Sequence, residues 1–227
     1  MMNKGKEPAI RAVILDFDGT LAVLNIDFGA MREELFVLME KYHVAPDTVR
    51  EKYLLEIIDE VYSILLRRKR RVAEQFREKA HEIVMERELE AASKSRLLPG
   101  VEGALRKLRD AGLKVGIVTR NCERAVRRIV PHIESLCDSF LSRDSVKRVK
   151  PDPHHLAALL ERLGISERHA IMVGDHPMDI LAGRRAGMRT AGVLTGRTAE
   201  DELWEMGADY VLASASQLPG LVERVNR

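Results

Sequence analysis

Asp16 and Asp18 stand two residues apart at the end of the apolar run Ala12-Val13-Ile14-Leu15, with Gly19 and Thr20 directly behind them. A short apolar run that ends in polar groups reads as a buried strand delivering its last side chains to one edge of a parallel sheet. In an extended chain, positions i and i+2 share a face, so both carboxylates point one way while Phe17 turns to the other. Gly19 lets the backbone turn and approach a ligand closely. Two acids beside a tight turn suit a magnesium ion holding a phosphate. A simple capped turn is the alternative, because Asp-Gly is a frequent turn dipeptide.

Three further segments place polar groups in the same relation to a strand. Lys114-Val115-Gly116-Ile117-Val118 ends in Thr119-Arg120-Asn121; Lys150 lies in Val149-Lys150-Pro151-Asp152-Pro153, ahead of a helical stretch; Ala170-Ile171-Met172-Val173 ends in Gly174-Asp175, with Asp179 four residues on. Each group falls at the C-terminal end of a strand or before a helix, the edge at which an open α/β sheet forms its ligand crevice. Singly, each has a plain structural reading. Thr119 serves as a helix cap, Lys150 as a solvated loop residue, and Asp175 with Asp179 as the acidic start of a helix.

The elements that must position these groups alternate strand and helix. Strands are expected at residues 9–15, 114–118, 139–141, 170–173, 190–194 and 210–212, with helices between them from residue 98 onward. Repeated units of this kind predict an α/β, Rossmann-like, mostly parallel sheet with helices on both faces. Between residues 21 and 97 the rhythm changes. Met31, Leu35, Leu38 and Met39 form one amphipathic face, Leu54, Ile57, Ile58, Val61 and Leu65 a second, and Val72, Phe76, Ala80 and Ile83 a third. The expected organisation is therefore a core of residues 1–20 and 98–227, interrupted by a small all-helical domain, residues 21–97, lying over the active-site edge as a lid.

Taken in order, Asp16-x-Asp18-Gly19-Thr20, Thr119, Lys150 and Gly174-Asp175-x-x-x-Asp179 resemble the motif set of the haloacid dehalogenase-like superfamily of phosphohydrolases. The resemblance covers almost the whole chain, since that family carries a helical cap in the same slot. It implies a Mg²⁺-dependent phosphatase of a small phosphorylated metabolite, similar to phosphoglycolate phosphatase, working through an aspartyl-phosphate. By resemblance Asp16 is the nucleophile and Asp18 the general acid, then base. Asp16, the Asp18 backbone carbonyl and Asp175 hold the metal. Thr119, Arg120 and Asn121 face phosphate or substrate, Lys150 offsets the charge around Asp16, and Asp179 supports metal and lysine from behind. Keeping Asp18 points to an oxygen leaving group and away from dehalogenation. One departure is Val23, at a position where many capped phosphatases carry an acid; Asp27 is the nearest substitute. Two rivals are a sugar-phosphate mutase using the same aspartyl-phosphate, whose cap signature is not evident, and a non-catalytic module binding anions or nucleic acid through its basic residues.

Bulk composition narrows these choices. The 37 basic and 35 acidic residues leave a formal net charge of +2, and aromatics make up 4%, which argues against a dedicated nucleic-acid binder. No segment has the apolar length of a membrane span. The polar residues 1–8 lack the form of a signal peptide, and two cysteines, Cys122 and Cys137, build no disulfide framework, so a cytoplasmic protein is expected. Monomer and homodimer stay open. In the run Arg67-Arg68-Lys69-Arg70-Arg71 most side chains must be solvated, since five consecutive helical residues exceed one turn. If the run is helical, Arg68, three after Leu65 and four before Val72, falls on the apolar side of an uninterrupted helix, and Arg68 or Lys69 is expected to read an anionic part of the substrate. His154 and His155 are expected at the surface and Cys122 in packing; for His176, inside the Asp175–Asp179 turn, a plain loop role is expected ahead of a substrate contact.

Overall fold

The run that leads into Asp16 forms strand β1, Ala12–Leu15, with every residue buried, in a computed structural model that describes residues 8–227. The first seven residues, part of the polar lead-in, lie outside the described residues. Burial on both faces is what a central strand of a parallel sheet needs, and each fully buried Val, Ile or Leu side chain contributes roughly 1.5–3 kcal/mol. Around β1 stand β2 (Lys114–Val118), β3 (Ser139–Leu141), β4 (Ala170–Gly174), β5 (Arg189–Val193) and β6 (Tyr210–Leu212). Their order is β3-β2-β1-β4-β5-β6, and every neighbouring pair is parallel.

The period of two along each strand sorts its side chains between two cores. Val13, Leu15, Val115, Ile117, Ile171 and Val173 pack on one side with helices α4 (Val101–Asp110) and α9 (Leu218–Asn226). Ala12, Ile14, Val118, Ala170 and Met172 pack on the other with α6 (His154–Leu163) and α7 (Pro177–Arg185). Helices thus cover both faces, and the remaining α5 (Glu123–Ile129) and α8 (Glu200–Glu205) complete the α/β unit. Chain order reverses at β1, with β2 on one flank and β4 on the other, so the crevice expected of such a sheet opens beyond the ends of β1 and β4.

The chain divides into two compact units. One joins the residues up to Leu24 to Ser95–Arg227; the other is Asn25–Lys94. The limits fall a few residues inside those expected, 20/21 and 97/98, because a short two-sided pairing holds both chain ends to the sheet unit. Ala22 bridges Leu97 in antiparallel fashion, Val23 N–H donates to Arg96 C=O, and Leu98 N–H donates to Leu21 C=O.

The second unit is helical: α1 (Phe28–Lys41), α2 (Leu54–Leu66) and α3 (Arg70–Ala92). The apolar faces read from α1 and α2 are the buried ones. In α3 the buried stripe runs through Ala73, Phe76, Ala80 and Val84, rotated by one residue from the expected Val72 and Ile83. The cause lies just before it. The expected uninterrupted helix through the basic run is a misreading: α2 ends at Leu66 and α3 starts at Arg70, with Lys69 in an extended conformation between them. Arg68 therefore sits in an exposed turn, its guanidinium donating to the His43 carbonyl at 3.0 Å. Among the described residues no helix is long and apolar enough to cross a membrane.

Candidate active site

Because β1 and β4 are adjacent and in register, Leu15 opposite Val173, the residues that follow them emerge side by side: Asp16 and Gly174-Asp175. Asp16 N–H continues the ladder by donating to Val173 C=O at 2.8 Å. Helix α7 then brings Asp179 back to the same place. Its start is fixed by a capping box in which His176 Nδ1 accepts from Met178 N–H, Asp179 Oδ2 accepts from His176 N–H, and Pro177 presets the first turn.

Lys150 reaches this group from the segment before α6. Its ammonium lies 2.5 Å from Asp16 Oδ1 and 2.7 Å from Asp179 Oδ1, and the whole residue is 1% exposed. Burial alone pulls the ammonium pKa down, but Asp16 and Asp179 more than offset that and leave it above the ordinary lysine value. Three carboxylates, those of Asp16, Asp175 and Asp179, each present an oxygen within 4.8 Å of the others. Burial and the Asp179 charge push Asp175 up to about 7. Burial, with Asp179, Asp175 and Asp18 nearby, likewise raises Asp16 well above the usual carboxylate range, against the pull of Lys150. Among the described residues, three buried carboxylates against one ammonium are an under-neutralised cluster of hard oxygen donors, a set that fits a hard divalent cation such as Mg²⁺.

Asp18 contributes no side-chain oxygen to that cluster. Its carboxylate accepts from Asn121 Nδ2 at 3.3 and 3.2 Å and from the Thr119 hydroxyl at 3.3 Å. Both donors follow β2, next to β1 in the sheet, and Asn121 N–H in turn donates to Thr119 Oγ1 at 3.0 Å. Burial raises the Asp18 pKa while the two neutral donors work against it. The sequence-predicted Asp16, Asp18, Thr119, Asn121, Lys150, Asp175 and Asp179 are thus brought to one edge of the sheet. Thr119 and Asn121, expected to face phosphate, engage Asp18.

The other candidates fall elsewhere or serve differently. Arg120 is half-buried, and its guanidinium donates to the Lys150 carbonyl, holding the lysine segment. Arg68 belongs to the helical unit. Asp27, weighed as a substitute for an acid at Val23, caps α1 by accepting from Ala30 N–H at 3.0 Å. Cys122 is buried at the start of α5. The surface reading of His155 is corrected outright: it is fully buried, with Nδ1 accepting from Lys150 N–H at 3.4 Å and Nε2 3.2 Å from the Leu141 carbonyl. Its position on the inner face of α6, next to Leu156 and Leu159, was the available signal. Thr20, which donates to Asp175 Oδ1 at 3.2 Å, was quoted in the first motif without a part of its own.

Comparison with known proteins agrees with this geometry. A family model described as haloacid dehalogenase-like hydrolase matches residues 13–193. Pyrophosphatase PpaX of Bacillus velezensis is 37% identical over 116 residues, 50% of this chain and 54% of that protein. Phosphoglycolate phosphatase of Xanthomonas campestris pv. campestris is 33% identical over 129 residues, 56% of this chain and 58% of that protein. The chain thus spans between half and two thirds of the length of these curated relatives. The crystal structure of a phosphonoacetaldehyde hydrolase-like protein from Oleispira antarctica superposes with a TM-score of 0.66 at 22% identity, covering 100% of this chain and 96% of that one, which shows a shared fold.

Proposed function

We propose, from the premise that this chain belongs to the haloacid dehalogenase-like hydrolase family, that it is a Mg²⁺-dependent phosphatase of small phosphorylated metabolites. The observation that carries the reading is the contrast between two acids on one strand end. Asp16 faces an ammonium at 2.5 Å, whereas Asp18 is held by the neutral amide of Asn121 and the hydroxyl of Thr119. Placing paired carboxylates in different surroundings is how a site divides nucleophile from proton carrier.

In this mechanism an Asp16 carboxylate oxygen attacks phosphorus, forming the acyl-phosphate bond as the bond to the leaving oxygen breaks. Asp18 gives its proton to that oxygen. It then takes a proton from the water that attacks the aspartyl-phosphate, releasing inorganic phosphate and restoring Asp16. Lys150 keeps Asp16 oriented and limits the repulsion felt by an incoming phosphoryl group. Asp16, Asp175 and the Asp18 carbonyl would hold Mg²⁺, with Asp179 behind; when bound, the ion would supply charge neutralisation for carboxylates and phosphoryl oxygens.

The helical unit, entered at Asn25 and left at Lys94, is assigned to substrate selection, and Arg68, bonded to the His43 carbonyl, is given no part in catalysis. Pyrophosphatase and phosphoglycolate phosphatase, the named relatives, support a small substrate bearing a second anionic group beside the phosphoryl that is transferred. A reducing, cytoplasmic setting suits two buried free cysteines.

The test is phosphate release from a panel of small phosphate esters and pyrophosphate, with Asp16→Asn and chelator as controls. Release that vanishes in both controls supports the reading. Undiminished release by Asp16→Asn would sink it.

A further inference from the structure

The loop after β5 begins where the family match ends, at residue 193, and belongs to none of the motifs described above. Two of its residues nevertheless touch the site. The hydroxyl of Thr195 donates to the Gly19 carbonyl at 2.6 Å, tying this loop to the turn that follows Asp16 and Asp18. Gly196 comes so close to Asp175 that a Cβ built on it would lie 1.7 Å from Oδ2 and 2.5 Å from Cγ. Gly19 approaches the same oxygen from its own loop, where a Cβ would lie 2.4 Å from Oδ2, and its φ of +81° excludes most other residues independently.

Oδ2 of Asp175 is therefore pinched between two glycine backbones, and the two loops that carry them are joined by one hydrogen bond. Oδ1 is fixed as well, by the Thr20 hydroxyl at 3.2 Å. The loop is anchored at its base, since Leu194 N–H donates to Leu212 C=O at 3.0 Å. A carboxylate confined on both oxygens cannot swing between rotamers, and a ligand oxygen already in place costs a metal less ordering on binding.

We infer that Thr195 and Gly196 are positioning residues for Asp175: they clamp its carboxylate in one orientation toward a divalent cation. The inference rests on the reading of Asp175 as a metal ligand. Gly196 supplies a wall without side chain, and Thr195 sets its distance from the facing wall at Gly19. Neither touches the reacting atoms.

The experiment is Mg²⁺ titration calorimetry on the full chain, with metal-free thermal unfolding in parallel. Its variants are Thr195→Val, which removes the hydroxyl but keeps the shape, Thr195→Ser, which restores it, and Gly196→Ala. Thr195→Val and Gly196→Ala are expected to weaken Mg²⁺ binding by roughly 10–100-fold, the range for groups that orient metal ligands. Thr195→Ser returns to near the wild-type affinity. A metal-free melting temperature close to wild type in Thr195→Val separates this from general destabilisation, and that variant also covers the case in which Gly196→Ala does not fold. Unchanged Mg²⁺ affinity in Thr195→Val overturns the inference while leaving the phosphatase reading intact. Absence of Mg²⁺ binding in the wild-type protein overturns both.

Discussion

The amide nitrogen of Asn121 straddles the carboxylate of Asp18, 3.3 Å from one oxygen and 3.2 Å from the other. Oδ1 of the same Asn121 is buried and meets no hydrogen-bond donor among the described residues. The side chain gives up one acceptor contact, which costs roughly 1–3 kcal/mol for a buried group, to keep its donor on Asp18. Asp18 is thereby hydrogen-bonded by neutral groups, and Lys150, which is ion-paired to Asp16, acts on it only from a distance and as the smallest of the influences on its pKa. A proton that must leave and return in each turnover is better carried by such an acid than by one locked in an ion pair.

Replacing that amide by an acid makes the dependence measurable. In Asn121→Asp two carboxylates face each other, and each disfavours ionisation of the other. The Asp18 pKa, already raised by burial, moves further up, so the alkaline limb of kcat/KM shifts to higher pH. We expect kcat to fall by about 10²-fold, the lower end of what general acid–base catalysis contributes. A pH–rate profile identical to wild type would remove Asn121 from any part in orienting Asp18.

Asp16→Asn is expected to abolish turnover, because an amide at that position forms no acyl-phosphate. Asp18→Asn keeps the shape of its side chain but replaces one of the two oxygens that accept from Asn121 and Thr119 by an amide donor and carries no carboxylic proton to transfer, and should lose about 10²–10⁴-fold in kcat, least with substrates whose leaving group is already a weak base. Steady-state rates on a poor and a good leaving group, with circular dichroism as the check on folding, distinguish the two variants.

Among the described residues, Lys150 is the one ammonium that meets the three buried acids. Lys150→Met removes the charge and leaves the carboxylates uncompensated, at a cost of about 3–5 kcal/mol. The sign with pH follows. Carboxylates whose folded pKa lies above the unfolded value keep protons that the unfolded chain releases, so stability falls as pH rises through that interval. The deficit of Lys150→Met should therefore be larger at pH 8 than at pH 5, read from urea unfolding in chelator. A deficit independent of pH would contradict this account.

His155 gives the opposite slope. Burial, with the nearby charge of Lys150, lowers its pKa to about 3, so the folded protein keeps the ring neutral where the unfolded chain, near the ordinary histidine value of 6.5, takes up a proton. Its contribution is complete above pH 6.5 and is lost as pH falls from there toward 3. His155→Gln should start less stable at pH 7.5 and then lose less than wild type on acidification to pH 4.5. Parallel curves for the two proteins would show that His155 does not stay neutral.

Bound Mg²⁺ competes with protons at Asp175, whose pKa is pushed up to about 7. The rise in melting temperature on adding saturating Mg²⁺ to chelator-treated protein should accordingly be greater at pH 8 than at pH 6. Differential scanning fluorimetry at fixed ionic strength reads it directly. Equal rises at both pH values would exclude Asp175 from the ligand set.

Much of the fold is legible in the chain because the sheet is buried on both faces. Runs such as Ala12–Leu15 and Ala170–Gly174 must be continuously apolar, and the polar residue that ends each marks the crevice. Asp16, Thr119 and Asp175 share that signal, each directly past a strand end, whereas Lys150 precedes α6 and Asp179 lies in α7. What escaped depends on distances between segments far apart in sequence. Nothing local shows that Gly196 backs onto Asp175, or that the ring of His155 turns inward while His154 is only partly covered. The turn at residues 67–69 escaped for another reason: Arg and Lys are good helix formers, and no glycine or proline interrupts them. The break follows instead from α2 and α3 packing against each other, the most extensive contact between helices in that unit.

The pairing of Ala22 with Leu97, flanked by Val23 with Arg96 and Leu21 with Leu98, has a consequence in chain entropy. The two ends of Asn25–Lys94 leave the sheet already joined, so the sheet unit meets the whole insertion as it would meet a hairpin turn. Closure is set at the stem, and the ordering of everything beyond it is balanced by the insertion's own apolar packing. For a flexible loop, each doubling of length adds only about 0.6 kcal/mol. Helices can therefore be lengthened, shortened or exchanged beyond this stem while Asp18, three residues before Leu21, keeps its place on the strand edge.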